Sequence, residues 1–184
     1  MNHMLFLGFG LSAKTLAPYL KNQNWRITGT SRSESGAESI RALGFDGVVF
    51  DQLQGIPESV THIISSVPPG ASGDPVLHRF GGDLGAMASQ FKWVAYLSTT
   101  GVYGDHAGAW TDENTPLTPN TERGERRLQA EQAWLNLYRG RSMPLHIFRL
   151  AGIYGPGRNQ LLSVLDGTAK RVINCIIYIF DQQS

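Results

Sequence analysis

This sequence has a single cysteine, no excess of charge of either sign and no long apolar run. Cys175 is the single cysteine, which excludes a disulfide framework and a cysteine-based metal cluster. The 16 basic and 15 acidic residues leave a net charge of +1, so neither nucleic acid nor an anionic membrane is expected as a partner. No apolar run reaches the length of a membrane span, and a strand pattern begins where a signal peptide would stand. We therefore expect a cytoplasmic protein without a metal.

The first thirty residues carry the most informative pattern. Apolar residues 4–7 predict a buried strand, a helical pattern follows, and a second strand ends at Thr30. The turn between them is a G-x-G-x-x-A fingerprint in a βαβ unit, which is typical of dinucleotide binding. We expect the cofactor pyrophosphate at the helix N-terminus, and a glycine-rich turn without a ligand is the alternative. The residues predicted to contact the cofactor here are Gly8, Phe9, Gly10, Leu11 and Ala13.

The ends of the second and third strands bear on the choice of cofactor. An NAD site places a carboxylate about twenty residues beyond the glycines, but this chain has Ser31 and Arg32 there. A hydroxyl and a guanidinium suit a 2′-phosphate, so we predict NADP, with NAD as the second choice. The alternative for Arg32 is a solvated loop residue. Asp51 ends the third strand, where it can accept from the adenine amino group or serve as a turn or N-cap residue.

Polar or glycine-rich segments follow three further strand patterns. Residues 65–67 end the fourth strand, and a run of hydroxyl residues from Ser98 ends the fifth. In open α/β sheets ligands bind beyond these ends, although a Ser/Thr-rich turn also satisfies its own backbone. Residues 105–121 read as a long loop, which in a compact domain is typical of a functional or disordered segment. The sixth strand leads to Tyr154 and Gly155 on the same edge of the sheet.

A regular helix after the long loop carries two arginines on its apolar face. Extending that face towards the helix N-terminus reaches Arg127 and then Arg123, four residues apart. Both are expected to face the cleft, where they can clamp an anion or stabilise a developing oxyanion. Arg has no titratable proton near neutral pH, so their role would be binding and electrostatic. A structural ion-pair role is the alternative.

Strand and helix patterns alternate through the whole chain, which predicts a Rossmann-type doubly wound parallel sheet. We expect residues 1–170 to form an NAD(P)-binding domain and residues 171–184 to form an atypical tail rich in Ile and aromatic residues. Within the domain, Pro18 should kink or shorten the first helix. Gly44 is typical of a helix end, and Asp74 followed by proline is typical of a capped helix start.

The fold pattern and three motifs together resemble the extended and atypical short-chain dehydrogenases/reductases, in the NAD-dependent epimerase/dehydratase family. The resemblance covers residues 4 to about 170, and it implies that Thr99 is the catalytic Ser/Thr and Asp51 the adenine contact. It also implies that Ser65, Ser66 and Val67 form the cofactor wall at the fourth strand, and that Tyr154 and Gly155 lie beside the nicotinamide. The motifs are Gly8-Phe9-Gly10-Leu11-Ser12-Ala13, Leu97-Ser98-Thr99-Thr100-Gly101-Val102-Tyr103-Gly104 and Arg149-Leu150-Ala151-Gly152-Ile153-Tyr154-Gly155-Pro156-Gly157.

Two departures from the family pattern bear on activity. The family's Tyr-x-x-x-Lys pair, which supplies the acid/base and holds the ribose, is replaced by Arg123 and Arg127. Family members also continue into a substrate-binding region, so we interpret this chain as a shortened form whose exposed cleft allows a homo-oligomer. One expectation is an enzyme acting on a small polar substrate, for which a nucleotide sugar is a candidate. The other is a sensor or scaffold that binds NADP without catalysis.

Overall fold

The computed structural model describes residues 1–155 and 159–168, in which strands and helices alternate. The tail predicted at residues 171–184 lies outside these residues. The strands are β1 (His3–Leu7), β2 (Arg26–Ser31), β3 (Asp46–Val49), β4 (His62–Ser65), β5 (Trp93–Thr99) and β6 (Leu145–Leu150). The helices are α1 (Leu11–Asn22), α2 (Glu34–Ala42), α3 (Pro75–Ala86), α4 (Glu122–Arg141) and α5 (Gln160–Leu165).

The six strands form one parallel sheet in the order β3-β2-β1-β4-β5-β6. The predicted Rossmann-type doubly wound sheet is therefore confirmed. The chain reverses its direction of winding between β1 and β4, where Leu7 pairs with Ser65. Ligands of open α/β sheets bind at such a switch point, beyond the carboxyl ends of the strands. All the strand ends singled out in the sequence meet at this edge.

Each face of the sheet is covered by its own apolar core. Met4 and Phe6 of β1 pack towards α1 and α2, whereas Leu5 and Leu7 pack towards α3 and α4. Because both faces are covered, β1 reads as an unbroken apolar run rather than an alternating one. The α4 side is anchored by Trp134, which is fully buried and stacks on Tyr96 with ring centroids 5.5 Å apart.

Pro18 was expected to kink or shorten the first helix; the helix does not end there, so the shortening is wrong, and the kink stays a prediction. α1 runs from Leu11 to Asn22 with Pro18 inside it. Pro18 lies on the exposed face, where the lost hydrogen bond to the Lys14 carbonyl is open to water. Ala13 and Ala17 are buried against the sheet and hold the helix on both sides of the proline. Packing therefore outweighs the local penalty.

The predicted helix-end signals are confirmed. The Asp74 carboxylate caps α3 by accepting from the amides of Val76 (2.8 Å) and Leu77 (3.1 Å), and Pro75 occupies the first helical position. Gly44 follows the end of α2 with a φ of +79°, a conformation that glycine adopts without strain. No regular helix or strand occurs between Tyr103 and Thr121, so the predicted long loop is also confirmed.

Candidate functional site

The fingerprint turn between β1 and α1 is built from residues of three strands. Gly8 adopts a φ of +92°, and its amide donates to the Thr30 hydroxyl at 2.9 Å. The Ser66 hydroxyl donates to the Gly8 carbonyl at 2.9 Å. A Cβ on Gly8 would lie 2.7 Å from the Ser66 Oγ, so a larger residue would have to displace the Ser66 hydroxyl that binds the Gly8 carbonyl. Gly8 therefore has the tight-turn role that the sequence predicts.

Gly10 lies in open space at the N-terminus of α1. A Cβ there would meet no atom within 4 Å, so the surrounding protein does not require glycine at this position. No side chain caps the helix and no acidic residue lies in its first turn. The amides of Leu11, Ser12 and Ala13 lie ahead of the first intrahelical bond, from the Lys14 amide to the Gly10 carbonyl. This backbone cradle fits the pyrophosphate of a dinucleotide.

Phe9 belongs to the core rather than to the cleft. Its ring is 9% exposed and packs edge-on against Phe6, with ring centroids 5.5 Å apart. A Cβ on Gly29 would lie 2.3 Å from the Phe9 ring, so glycine in β2 makes room for it. Only the backbone of Phe9 is therefore placed to meet a cofactor.

At the end of β2 the hydroxyl of Thr30 is buried, whereas Ser31 and Arg32 are accessible. Thr30 is 1% exposed and is used by the fingerprint turn, because its hydroxyl also donates to the Phe6 carbonyl at 3.3 Å. Ser31 is half-buried beside Gly36 of α2, and Arg32 is exposed. Arg32 makes no hydrogen bond or ion pair within residues 1–155 and 159–168. The 2′-phosphate role of Ser31 and Arg32 stays a prediction.

Asp51 borders a groove of about 210 Å³ at the carboxyl edge of the sheet. Its side chain is exposed in a short 3-10 turn (Phe50–Gln52), and its carbonyl accepts from the Arg79 guanidinium at 2.7 Å. The first turn of α3 closes the other side of the groove. The groove leaves the Asp51 carboxylate available, but its predicted adenine contact stays untested.

The three predicted residues of the β4 wall have different environments. The Ser66 hydroxyl is used by the Gly8 turn, and Val67 packs against the core on the α3 side. Ser65 is fully buried, and its hydroxyl has no partner in the part of the chain that the structure describes.

In the loop beyond β6, Tyr154 is 83% exposed and Gly155 is half-buried. Their cofactor contacts remain predictions.

Thr99 is the last residue of β5 and starts a 3-10 turn (Thr100–Val102). Its hydroxyl accepts from the Gly101 amide at 3.2 Å and donates to no group among the described residues. A half-buried hydroxyl with a free proton at the carboxyl edge can donate to a ligand. Its predicted catalytic role remains untested.

The two arginines of α4 do not share one environment. Arg123 is exposed to solvent, so the expectation that it faces the interior is wrong. Arg127 is 7% exposed and follows that expectation. Its guanidinium donates to the Leu97 carbonyl (2.8 Å) and the Tyr96 hydroxyl (3.2 Å), while its Nε has no partner in the described residues. Arg123 lies in the first turn of α4, on the side of that turn that faces solvent.

Buried titratable groups surround Arg127. Burial raises the pKa of Asp74, although its cap hydrogen bonds and the Trp134 indole, which donates at 3.1 Å, oppose that shift. Burial also raises the pKa of Tyr96, against the nearby Arg127 charge. The tyrosine hydroxyl is therefore held in its protonated form at neutral pH.

The described residues contain no cluster of His, Cys, Asp and Glu that could hold a metal, and no helix among them could span a membrane.

The sequence reasoning missed a buried ion pair next to Thr99. Glu131 of α4 is 1% exposed and accepts from the Arg149 guanidinium of β6 at 2.9 Å and from the Ser98 hydroxyl of β5. Arg149 also donates to the Tyr103 hydroxyl at 3.0 Å. The sequence offered two signals for this pair. Glu131 is a charged residue on the inward face of the helix, four residues after Arg127, and Arg149 is a charged residue inside a strand.

The fold and the strand-end site define a dinucleotide-binding class of α/β protein, and comparison with known proteins identifies the family. The model of the NAD dependent epimerase/dehydratase family matches residues 84–178, about half of the chain. The chain belongs to that family. The matched region includes the Thr99 turn, α4 and β6, so it supports the resemblance that the motifs indicated.

Three similar proteins illustrate the relationship. Protein YeeZ of Escherichia coli K12 is 30% identical over 173 residues, covering 86% of this chain and 61% of that protein. A functionally unknown conserved protein from Silicibacter pomeroyi DSS is 48% identical with a TM-score of 0.82, covering 87% of this chain and 57% of that one. The dTDP-glucose 4,6-dehydratase of Bacillus anthracis, solved in complex with NAD, is 19% identical with a TM-score of 0.67, covering 91% and 62%. That last likeness shows the fold alone, and the chain spans about three fifths of the length of these proteins.

Proposed function

We propose that this chain binds NADP at the carboxyl edge of the sheet. The observation that carries the proposal is the N-terminus of α1, which no side chain caps. Gly10 stands at this end of the helix, and the space that a Cβ on Gly10 would occupy is open. Backbone amides and the helix dipole there favour an anion such as a pyrophosphate. The adenine would lie beside Asp51 and its groove, and the nicotinamide end near Thr99.

The choice of NADP rests on the end of β2. Thr30 is turned inward to the fingerprint, so the first accessible groups are the Ser31 hydroxyl and the Arg32 guanidinium, which has no partner among the described residues. A guanidinium binds a phosphate through two donors, whereas it gives a ribose hydroxyl no acceptor. NAD is the second choice, because the Bacillus anthracis dehydratase with this fold was solved with NAD.

The reaction would be redox or epimerisation at a carbinol carbon of a small polar substrate. A bound dinucleotide would supply hydride-transfer chemistry, and this chain's own groups would bind and orient the substrate. Thr99 would hold a substrate oxygen through a hydrogen bond from its hydroxyl, and Arg127 would supply fixed positive charge. The proton that leaves the carbinol oxygen on oxidation would pass to water. A nucleotide sugar is the proposed class, because the Bacillus anthracis dehydratase is named for such a substrate.

A sensor or scaffold that binds NADP without turnover is the second candidate. Arg123 and Arg127 occupy the family's Tyr and Lys positions, and neither can release a proton as an acid/base near neutral pH. Arg127 already donates to the Leu97 carbonyl and the Tyr96 hydroxyl. Turnover of NADPH with a panel of nucleotide sugars and carbonyl compounds separates the candidates, because a sensor binds without turnover.

The test of binding is calorimetric titration of NADPH and NADH into the wild type and into Gly10→Asp. An aspartate at the N-cap would cap α1 and place a negative charge where the pyrophosphate is expected. We expect wild-type binding with NADPH preferred, and at least tenfold weaker binding in the variant at an equal or higher melting temperature. Equal affinity in the two proteins would contradict a pyrophosphate at Gly10.

A further inference from the structure

Four elements meet around the turn that begins at Thr99. They are β5, the 3-10 turn itself, α4 and β6. A single carboxylate, that of Glu131, lies at their centre and is 1% exposed. A carboxylate this deep in a protein is retained only when its charge is paired and its oxygens accept hydrogen bonds.

The partners of Glu131 are Ser98 and Arg149, which pair with each other in the sheet next to Thr99. The hydroxyl of Ser98, the preceding residue, donates to one oxygen of the carboxylate. Arg149 donates to both oxygens, with the closest contact at 2.9 Å. Burial alone would lower the pKa of Arg149, but its hydrogen bonds to Glu131 and Tyr103 outweigh that effect and raise it. The Arg149 guanidinium is therefore charged at neutral pH.

Arg149 connects this pair to the far end of the turn. Its guanidinium donates to the Tyr103 hydroxyl at 3.0 Å and lies over the Tyr103 ring, 5.0 Å from the centroid. The carbonyl of the same tyrosine accepts from the Thr118 hydroxyl at 2.8 Å, which anchors the long loop. The turn is thus held before Thr99 through Ser98 and after it through Tyr103.

The first turn of α4 closes on the same segment. A Cβ on Gly124 would lie 2.7 Å from the Gly101 carbonyl oxygen, so glycine lets the helix touch the turn directly. The contact leaves little space for the Thr99 turn to shift towards α4. The Thr99 hydroxyl accepts from the Gly101 amide, and its proton has no acceptor among the described residues.

We propose that Glu131 and Arg149 are positioning residues that hold the Thr99 hydroxyl towards the nicotinamide end of a bound dinucleotide. The inference rests on the proposed function, because it needs a cofactor whose nicotinamide lies beyond β5. Neither residue touches the cofactor; both act through Ser98, Tyr103 and the turn between them.

The test compares two ligands that differ at one end. NADPH carries the nicotinamide, whereas 2′-phospho-ADP-ribose lacks only that ring. Calorimetry gives the ratio of their affinities for the wild type, Glu131→Gln, Thr99→Val and the double variant. We expect each single variant to lower the preference for NADPH by about 3- to 10-fold, the range of one hydrogen bond. The double variant should lose no more than Thr99→Val alone, since Glu131 acts through Thr99.

Two further variants make the result decisive. Glu122→Gln removes a carboxylate from an exposed pair with Arg126 on the same helix and should leave the ratio unchanged. Tyr103→Phe keeps the Glu131–Arg149 pair but removes its link to the turn, and it serves if Glu131→Gln does not fold. It should lower the preference about 2- to 5-fold, an effect that Thr99→Val should abolish.

Each outcome bears on a separate claim. Additive losses in the double variants, or an equal loss of affinity for both ligands, would make the pair merely structural and overturn the positioning role. A wild type that binds neither ligand would overturn the proposed function together with this inference. Binding of both ligands with an unchanged ratio in Glu131→Gln or, where that variant does not fold, in Tyr103→Phe would overturn this inference alone.

Discussion

The Thr30 hydroxyl accepts a hydrogen bond from the Gly8 amide at 2.9 Å, and this contact joins the end of β2 to the first glycine of the fingerprint. The same hydroxyl donates to the Phe6 carbonyl in β1. One buried side chain therefore holds the turn that precedes α1. The next residues along the chain, Ser31 and Arg32, are the first accessible groups at the end of β2.

Replacing Thr30 with valine should loosen the fingerprint turn. Valine has nearly the same shape but leaves the Gly8 amide without its acceptor, which costs about 1–3 kcal/mol when the group is buried. We expect a lower free energy of unfolding in urea and weaker NADPH binding per folded molecule. Thr30→Ser, which keeps the hydroxyl, is the matched control. Wild-type behaviour of Thr30→Val would show that the turn does not depend on this contact.

Gly8→Ala should cost much more stability than Gly10→Ala. Gly8→Ala places a Cβ at a φ of +92° and 2.7 Å from the Ser66 Oγ, so we expect a loss of about 1–3 kcal/mol in the free energy of unfolding. Gly10→Ala adds a Cβ in open space and should change stability by less than about 1 kcal/mol. Urea denaturation measures both. Equal losses would mean that the two glycines serve the same structural purpose.

Arg32→Asp should change the choice of cofactor. The substitution removes a partner of the 2′-phosphate and adds an acceptor for a ribose hydroxyl. We expect the ratio of NADPH to NADH affinity to fall by at least tenfold in calorimetric titrations, because hydrogen bonds to charged groups contribute about 1.5–3 kcal/mol. Arg26→Asp, which changes an exposed arginine at the start of β2, is the control. An unchanged ratio would identify Arg32 as a solvated loop residue.

Arg127 should contribute to stability as well as to binding. In Arg127→Ala the Leu97 carbonyl and the Tyr96 hydroxyl lose their donor, so we expect the free energy of unfolding to fall by about 1–3 kcal/mol. Arg123→Ala, at an exposed position, should change it by less than about 0.5 kcal/mol. Ligand affinity per folded molecule then tests the anion role, for which we expect a loss of about 1.5–3 kcal/mol in Arg127→Ala. Unchanged affinity would leave Arg127 a structural residue.

His3 should make stability depend on pH. It is 2% exposed between the Ser59 and Thr28 hydroxyls, and burial, reinforced by the Arg26 charge, lowers its pKa from 6.5. Below pH 6.5 the unfolded chain takes up this proton more readily than the folded one, so stability falls as the pH decreases further. We expect His3→Gln to flatten the pH dependence of the urea midpoint between pH 7 and 5. Identical profiles would exclude His3 as the cause.

The predictions that failed concern the environments of particular residues rather than the positions of helices and strands. The order of strands and helices follows from apolar periodicity and was predicted, as were the cap at Asp74 and the glycine conformation at Gly44. Pro18 was expected to shorten α1, yet the buried Ala13 and Ala17 keep the helix intact. Arg123 and Arg127 share a helical spacing, but only the second lies beneath a neighbouring strand.

The amino-acid sequence by itself predicted the doubly wound sheet through the alternation of strand and helix patterns, and the fingerprint turn through the spacing of its glycines. It also indicated the family through the motifs at residues 97–104 and 149–157. Only the tertiary structure decided that Thr30 supports Gly8 and that Glu131 pairs with Arg149, 18 residues away. These contacts depend on which strands lie side by side, and residue periodicity carries no information about that.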